Sequence, residues 1–91
     1  MSKVILEGHI IVLSQDLDAV IQALPEHIKM TQAELGNITF QVSQSIHHPL
    51  RFDVYEEFVD SSAFEFHQRR VKQSKWGKIT TNVIRHYTLY Q

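Results

Sequence analysis

The apolar residues of this chain are spaced as a strand, a helix, two strands, a helix and a strand, and that order constrains the fold more than any single motif. From Val4 to Leu13 the side chains alternate: Leu6, Gly8, Ile10 and Val12 share one face, and Ile5, Glu7, His9 and Ile11 the other. One face is apolar and the second is mixed. Such a strand suits a sheet covered by helices on one side and by something semi-polar on the other. Leu17, Val20, Ile21, Leu24 and Ile28 then recur at helical spacing toward Leu35, behind Ser14, Gln15 and Asp16 as N-cap residues. Pro25 inside this run removes a backbone bond and crowds the preceding turn, so a kink or two abutting helical segments are expected. Gly36 and Asn37 end the helix, with Gly36 expected in the left-handed conformation.

Asn37 to Gln44 forms the second strand, with Ile38, Phe40 and Val42 on one face. Ser45 to Pro49 is a turn or loop, because Pro49 would not sit in a central ladder, and its shortness favours a hairpin of the second and third strands. The third strand, Leu50 to Phe58, turns Phe52, Val54, Glu56 and Phe58 one way and Asp53, Tyr55 and Glu57 the other. A second helix starts at Asp60, a good N-cap, and is expected to end before Gly77. On a helical wheel Asp60, Ala63, Phe64, His67 and Val71 fall within one arc, opposite Glu65, Arg69 and Lys72. Asn82 to Tyr90 closes the chain as a fourth strand. The β-α-β-β-α-β order is that of an α+β, ferredoxin-like unit: a four-stranded antiparallel sheet with two helices on one face. No linker or repeat interrupts residues 1–91, so one domain is expected.

Composition narrows the function classes. Nine basic residues against ten acidic ones leave a net charge of -1, which argues against a protein that binds nucleic acid through its phosphates. The basic cluster Arg69, Arg70, Lys72, Lys75 and Lys78 reads as a solvated helix face. There is no cysteine, so disulfides and thiolate chemistry are excluded. The longest aliphatic run, Ile10 to Leu13, is far too short for a membrane span, and the start of the chain does not resemble a signal peptide. A cytoplasmic location, with no membrane or nucleic-acid partner, is the expectation. So small a domain has little apolar area to spare, and the open sheet face invites a homodimer that buries Ile5, His9 and Tyr55.

Several motifs extend this reading. Ala33-Glu34-Leu35-Gly36-Asn37, Phe40-Gln41-Val42, Pro49-x-Arg51-Phe52 and the block from Glu56 through Asp60, Ala63 and Phe64 to His67 resemble the antibiotic biosynthesis monooxygenase (ABM) family. That family includes the quinol monooxygenases. The likeness continues through Ser74-Lys75-Trp76-Gly77 and Arg85-x-Tyr87. It implies an ABM-like domain in a dimeric α+β barrel. Family members include cofactor-independent oxygenases of phenols or quinols, isomerases of sugar-like metabolites and haem-degrading enzymes. Leu35 stands where most relatives have Pro. The haem-degrading branch has an Asn on the first strand and a Trp followed by a His on the second helix. This chain lacks that Asn, and His67 precedes Trp76, which argues against haem.

His67 and Glu56 are the candidate catalytic pair. A carboxylate would fix the imidazole tautomer and raise its basicity, so that it could take a phenolic proton. The same pair would equally serve as a hydrogen-bonded tie between strand and helix. Asn37 could aim its amide at a substrate oxygen or simply shape a turn, and Trp76 could wall a pocket or fill the core. Phe40, Phe52, Phe58 and Phe64 belong to the helix–sheet interface first, with Phe40, Phe52 and Phe64 also candidates for substrate contact. His47 and His48 lie on a loop, Glu26 and His27 read as solvated, and Glu7, His9, Asp53 and Glu57 suit interfacial hydrogen bonds, so no metal site is expected. The resulting expectation is oxidation of a small aromatic substrate by dioxygen, with no flavin, haem or metal. One alternative is an isomerase of a sugar-like metabolite that uses the His–Glu pair as a proton shuttle, with Arg85 or Arg70 holding any phosphate. The other is a non-catalytic ligand-binding dimer.

Overall fold

The computed structural model describes residues 2–91. Strands β1 (Val4–Ile11), β2 (Asn37–Gln44), β3 (Arg51–Phe58) and β4 (Ile84–Tyr90) form one antiparallel sheet in the order β2-β3-β1-β4. Helix α1 (Leu17–Gln32) follows a 3-10 turn at Ser14–Asp16, and α2 (Ser61–Gln73) and α3 (Lys75–Ile79) follow β3. This is the ferredoxin-like α+β arrangement. The sheet faces follow the alternation: Val4, Leu6 and Ile10 of β1 and Phe52, Val54, Glu56 and Phe58 of β3 are all buried. Register aligns Phe40, Glu56, Leu6 and Leu89 across the four strands, which puts one carboxyl in the middle of the helix-facing side.

Four local expectations change. Alpha-helix α1 runs unbroken through Pro25, rather than as two segments, and ends at Gln32, short of Leu35. Pro25 lies on the exposed side, where the carbonyl it leaves unbonded meets water. The second helical region is two helices, because Ser74 takes an extended conformation (φ -88°, ψ 167°). Its hydroxyl donates to the Val71 carbonyl (2.7 Å) and accepts from the Gly77 N–H (3.1 Å), closing one helix and capping the next. Gly77 therefore lies inside α3. Gly36 does not take a positive φ; a Cβ there would instead collide with the Ala63 side chain. Its need is for space, where the α1 exit passes Ala63 of α2. Ile38 sits at a β-bulge between Asn37 and Thr39 and is 45% exposed, so it leaves the inward row of β2.

The main apolar core, Ile10, Val12, Val20, Phe52 and Val83 with Trp76 and Ile79 against it, occupies one end of the helix–sheet interface. Polar residues enter the interior elsewhere: His27, Thr31, Glu56, His67 and Thr80 are all buried. His27 had been expected in solvent. The inward stripe of α1 runs Val20, His27 and Thr31 rather than through Ile21, which is 41% exposed.

Candidate functional site

Asp60 starts α2 by accepting the Ala63 N–H at 2.9 Å, and that start point sets the rotation of the helix. Two turns on, His67 points at the sheet and is 2% exposed. Its Nδ1 lies 3.0 Å from Glu34 Oε2. The same oxygen accepts from Arg70 Nε (2.6 Å), and Arg70 Nη2 donates to Thr31 Oγ1 (2.9 Å). A carboxylate can only accept, so Nδ1 carries the imidazole proton and Nε2 presents its lone pair. Nε2 faces Glu56 Oε1 at 3.7 Å, too far for a direct hydrogen bond.

The charge states follow from burial. Burial pushes the Glu56 carboxyl up to about 8, and the charge of Glu34 adds to the effect, so Glu56 is protonated at neutral pH. Burial also pulls His67 below its ordinary value; Glu34 opposes that shift and Arg70 reinforces it. His27, likewise buried and beside His67 and Arg70, drops to about 3 and stays neutral. Its ring stacks on Trp76 (4.5 Å, 5°), meets the edge of Phe40 (5.2 Å, 83°) and lies 6.3 Å from His67. Two neutral imidazoles and one protonated carboxyl thus stand together.

They border a cavity of about 590 Å³. Leu6, Glu56, Arg85 and Tyr87 come to it from the sheet, and His67, Gln68 and Lys72 from α2. Trp76 and Lys78 come from α3, and His27 from α1. Two buried polar atoms among these residues, Glu56 Oε1 and His27 Nδ1, have no hydrogen-bond partner. Leaving such atoms unpaired is costly, and a ligand in the cavity would satisfy them. More apolar hollows exist on the surface, but they are smaller and none of them includes the His67–Glu56 pair.

Of the residues singled out from sequence, His67, Glu56 and Trp76 converge on this cavity. Phe40 backs the two imidazoles without lining it (5.8 Å to His67). Phe52 lies in the apolar core, and Phe64 packs on Phe58 (5.6 Å). Asn37 spends its amide on the bulge, donating to the carbonyls of Thr39 (3.0 Å) and Glu57 (3.3 Å). Glu56 is not the close partner of His67 Nδ1; Glu34 is. Arg70 is not a solvated cation, since its side chain is 19% exposed and anchors Glu34. A signal for Glu34 was present: Val20, Leu24, His27, Thr31 and Glu34 continue one helical stripe, which turns polar where it passes His67. Among the described residues no cluster of three or more His, Asp or Glu could hold a metal.

The model of the antibiotic biosynthesis monooxygenase family matches residues 4–78. The chain belongs to that family. Solved structures similar to this ABM protein share its fold at low identity. Those from Nitrosomonas europaea and Deinococcus radiodurans are each named a "putative antibiotic biosynthesis monooxygenase". The first has a TM-score of 0.77 at 20% identity and covers 99% of this chain and 97% of its own. The second has a TM-score of 0.74 at 20% identity and covers 97% and 90%. A conserved protein from Methanosarcina mazei has a TM-score of 0.77 at 18% identity and covers 100% and 93%. A search of curated proteins found no match. No helix among the described residues of this ABM protein is long and apolar enough to cross a membrane.

Proposed function

We propose that this ABM protein is a cofactor-independent monooxygenase that oxidises a phenolic or quinol-like small molecule with dioxygen. The observation that carries the proposal is an imidazole anchored at Nδ1 by Glu34, its Nε2 turned toward a protonated Glu56 at the wall of a cavity. His67 Nε2 takes the proton of a substrate hydroxyl, and the resulting phenolate supplies the electrons that dioxygen needs. A carbon–oxygen bond forms at the ring, and the peroxide accepts a proton from Glu56. The ring C–H proton then passes to the Glu56 carboxylate as the O–O bond cleaves, and the His67 imidazolium protonates the departing hydroxide. This leaves a carbonyl and water and restores both groups. The substrate is the reductant, so the reaction calls on the protein for proton transfer, orientation and exclusion of water. An aromatic substrate ring would pack against Trp76, whose indole is backed by the stacked ring of His27. The test is oxygen uptake with an auto-oxidisable quinol. It should exceed the buffer rate and vanish in His67→Ala; no acceleration across a panel of quinols would sink the proposal.

The isomerase reading draws support from one observation: Arg85, a candidate phosphate holder, lines the same cavity, whereas Arg70 does not. Isomerisation would proceed without oxygen uptake, which separates the two.

The working form we propose is a cytoplasmic homodimer built on the open sheet face. Support comes from β4, where Ile84 (53%) and Tyr90 (50%) stand exposed, and from His9 and His86, stacked at 4.7 Å on the same open face.

A further inference from the structure

The cavity beside His67 concentrates positive charge in a chain that has none to spare. Three of the nine basic side chains, Lys72, Lys78 and Arg85, line it, against one of the ten acidic ones. That one is Glu56, buried and protonated at neutral pH. The other carboxylate of the cluster, Glu34, lies behind His67 and is taken up by Arg70 and the imidazole. No ionised carboxylate therefore opposes the three cations within the cavity, although the whole chain carries a net charge of -1. Arg85 commits Nη2 to the Thr80 carbonyl (3.2 Å). A planar guanidinium held from one side presents its remaining N–H groups for two-point contact with an oxyanion.

The two ends of the cavity differ in character. The inner end has the neutral groups His67, Glu56 and His27, and the unpaired atoms of Glu56 and His27 suit a hydroxyl. Lys72, Lys78 and Arg85 are exposed and mark the solvent side. We infer that the ligand of this site carries an anionic group, a carboxylate or a phosphate ester, held by Lys72, Lys78 and Arg85 while its hydroxyl end meets His67 and Glu56. The inference rests on the reading of this cavity as the substrate site, but not on the reaction that follows.

Equilibrium binding with three probes tests it: hydroquinone, its carboxylate gentisate, and hydroquinone monophosphate. Gentisate or the monophosphate should bind about tenfold or more tightly than hydroquinone at low salt, and the preference should shrink as salt screens the exposed cations. Which of the two anions binds better identifies the oxyanion. In Arg85→Gln the ratio of anionic to neutral affinity should fall several-fold. Because that change also removes the bond to Thr80, the double variant Lys72→Gln/Lys78→Gln, at exposed positions, should lower the same ratio without disturbing the turn. Equal affinity for all probes, no binding of any, or an unchanged ratio in the double variant would overturn the inference. Oxygen uptake measured alongside separates the two readings. Tight anion binding without oxygen uptake leaves the charge inference standing and removes the monooxygenase. Quinol oxidation indifferent to charge does the reverse.

Discussion

Glu34 Oε2 lies 3.0 Å from Nδ1 of His67, joining the residue just past the end of α1 to the middle of α2. The contact sets the tautomer, ties the two helices together and gives Arg70 its counter-charge. Removing one partner of such a buried set leaves the others uncompensated, so Glu34→Ala should cost about 3 kcal/mol in urea unfolding. Glu34→Gln still offers an oxygen to Nδ1 but no charge, and Glu34 is what holds the His67 pKa up against burial. Its acid limb in a plot of kcat/KM against pH should therefore move to lower pH, a shift that a merely structural role for Glu34 would not produce.

His67→Ala should reduce quinol-dependent oxygen uptake by about 100-fold or more, the usual size of a general-base contribution. Circular dichroism should show the fold retained, with a lowered Tm. An activity unchanged beyond the loss of folded protein would assign the imidazole a structural role only.

Stability should depend on pH with opposite signs on the two sides of neutrality. The Glu56 pKa is raised from 4.5 to about 8, so the folded state holds a proton that the unfolded state releases; its contribution is complete below 4.5 and lost as pH rises through about 8. The His27 pKa is lowered from 6.5 to about 3, so its contribution is present above 6.5 and lost as pH falls through about 3. Between 4.5 and 6.5 the two slopes oppose each other, and above 6.5 Glu56 acts alone. Urea midpoints should fall between about pH 6.5 and 8, and Glu56→Gln should flatten that limb while leaving the acid limb in place.

Gly36→Ala should destabilise the protein by about 1–3 kcal/mol, since the added methyl must push Ala63 away. The same displacement moves the Glu34 segment relative to α2, so activity should fall further than the loss of folded protein explains. Thermal melting together with specific activity checks both. The double variant Gly36→Ala/Ala63→Gly should recover much of the loss.

Sedimentation at micromolar concentration should give a dimer, and Tyr55→Arg on the open face should shift it toward monomer. A well-behaved monomer for the unmodified chain would remove the sheet-face dimer.

Much of the architecture was legible because the sheet is covered on one side only. Alternation then separates inward from outward residues with little ambiguity, as Phe52, Val54, Glu56 and Phe58 show. The site was legible in part. His67 lies on a clean helical arc, and Trp76 follows a cap that the sequence carries in Ser74. Glu34 and His27 were harder to find, because polar residues on a helix are assigned to water unless something shows a partner. That partner lies 40 residues away for His27 and 33 for Glu34, on α2. Asn37 was misleading for a local reason: a β-bulge uses its amide, and the extra residue responsible is invisible to periodicity.

The sequence by itself determined the order of elements, the inward face of each strand and the position of a histidine on the core side of α2. These depend on spacing and capping, which act over a few residues. The tertiary structure decided which carboxylate holds that histidine, why Glu56 keeps its proton, and how Lys72, Lys78 and Arg85 come to one cavity. Those outcomes depend on distance and burial between elements remote in sequence. At Glu56 the two levels meet: alternation turns it inward, and only the enclosure formed by the packed helices makes it an acid at neutral pH.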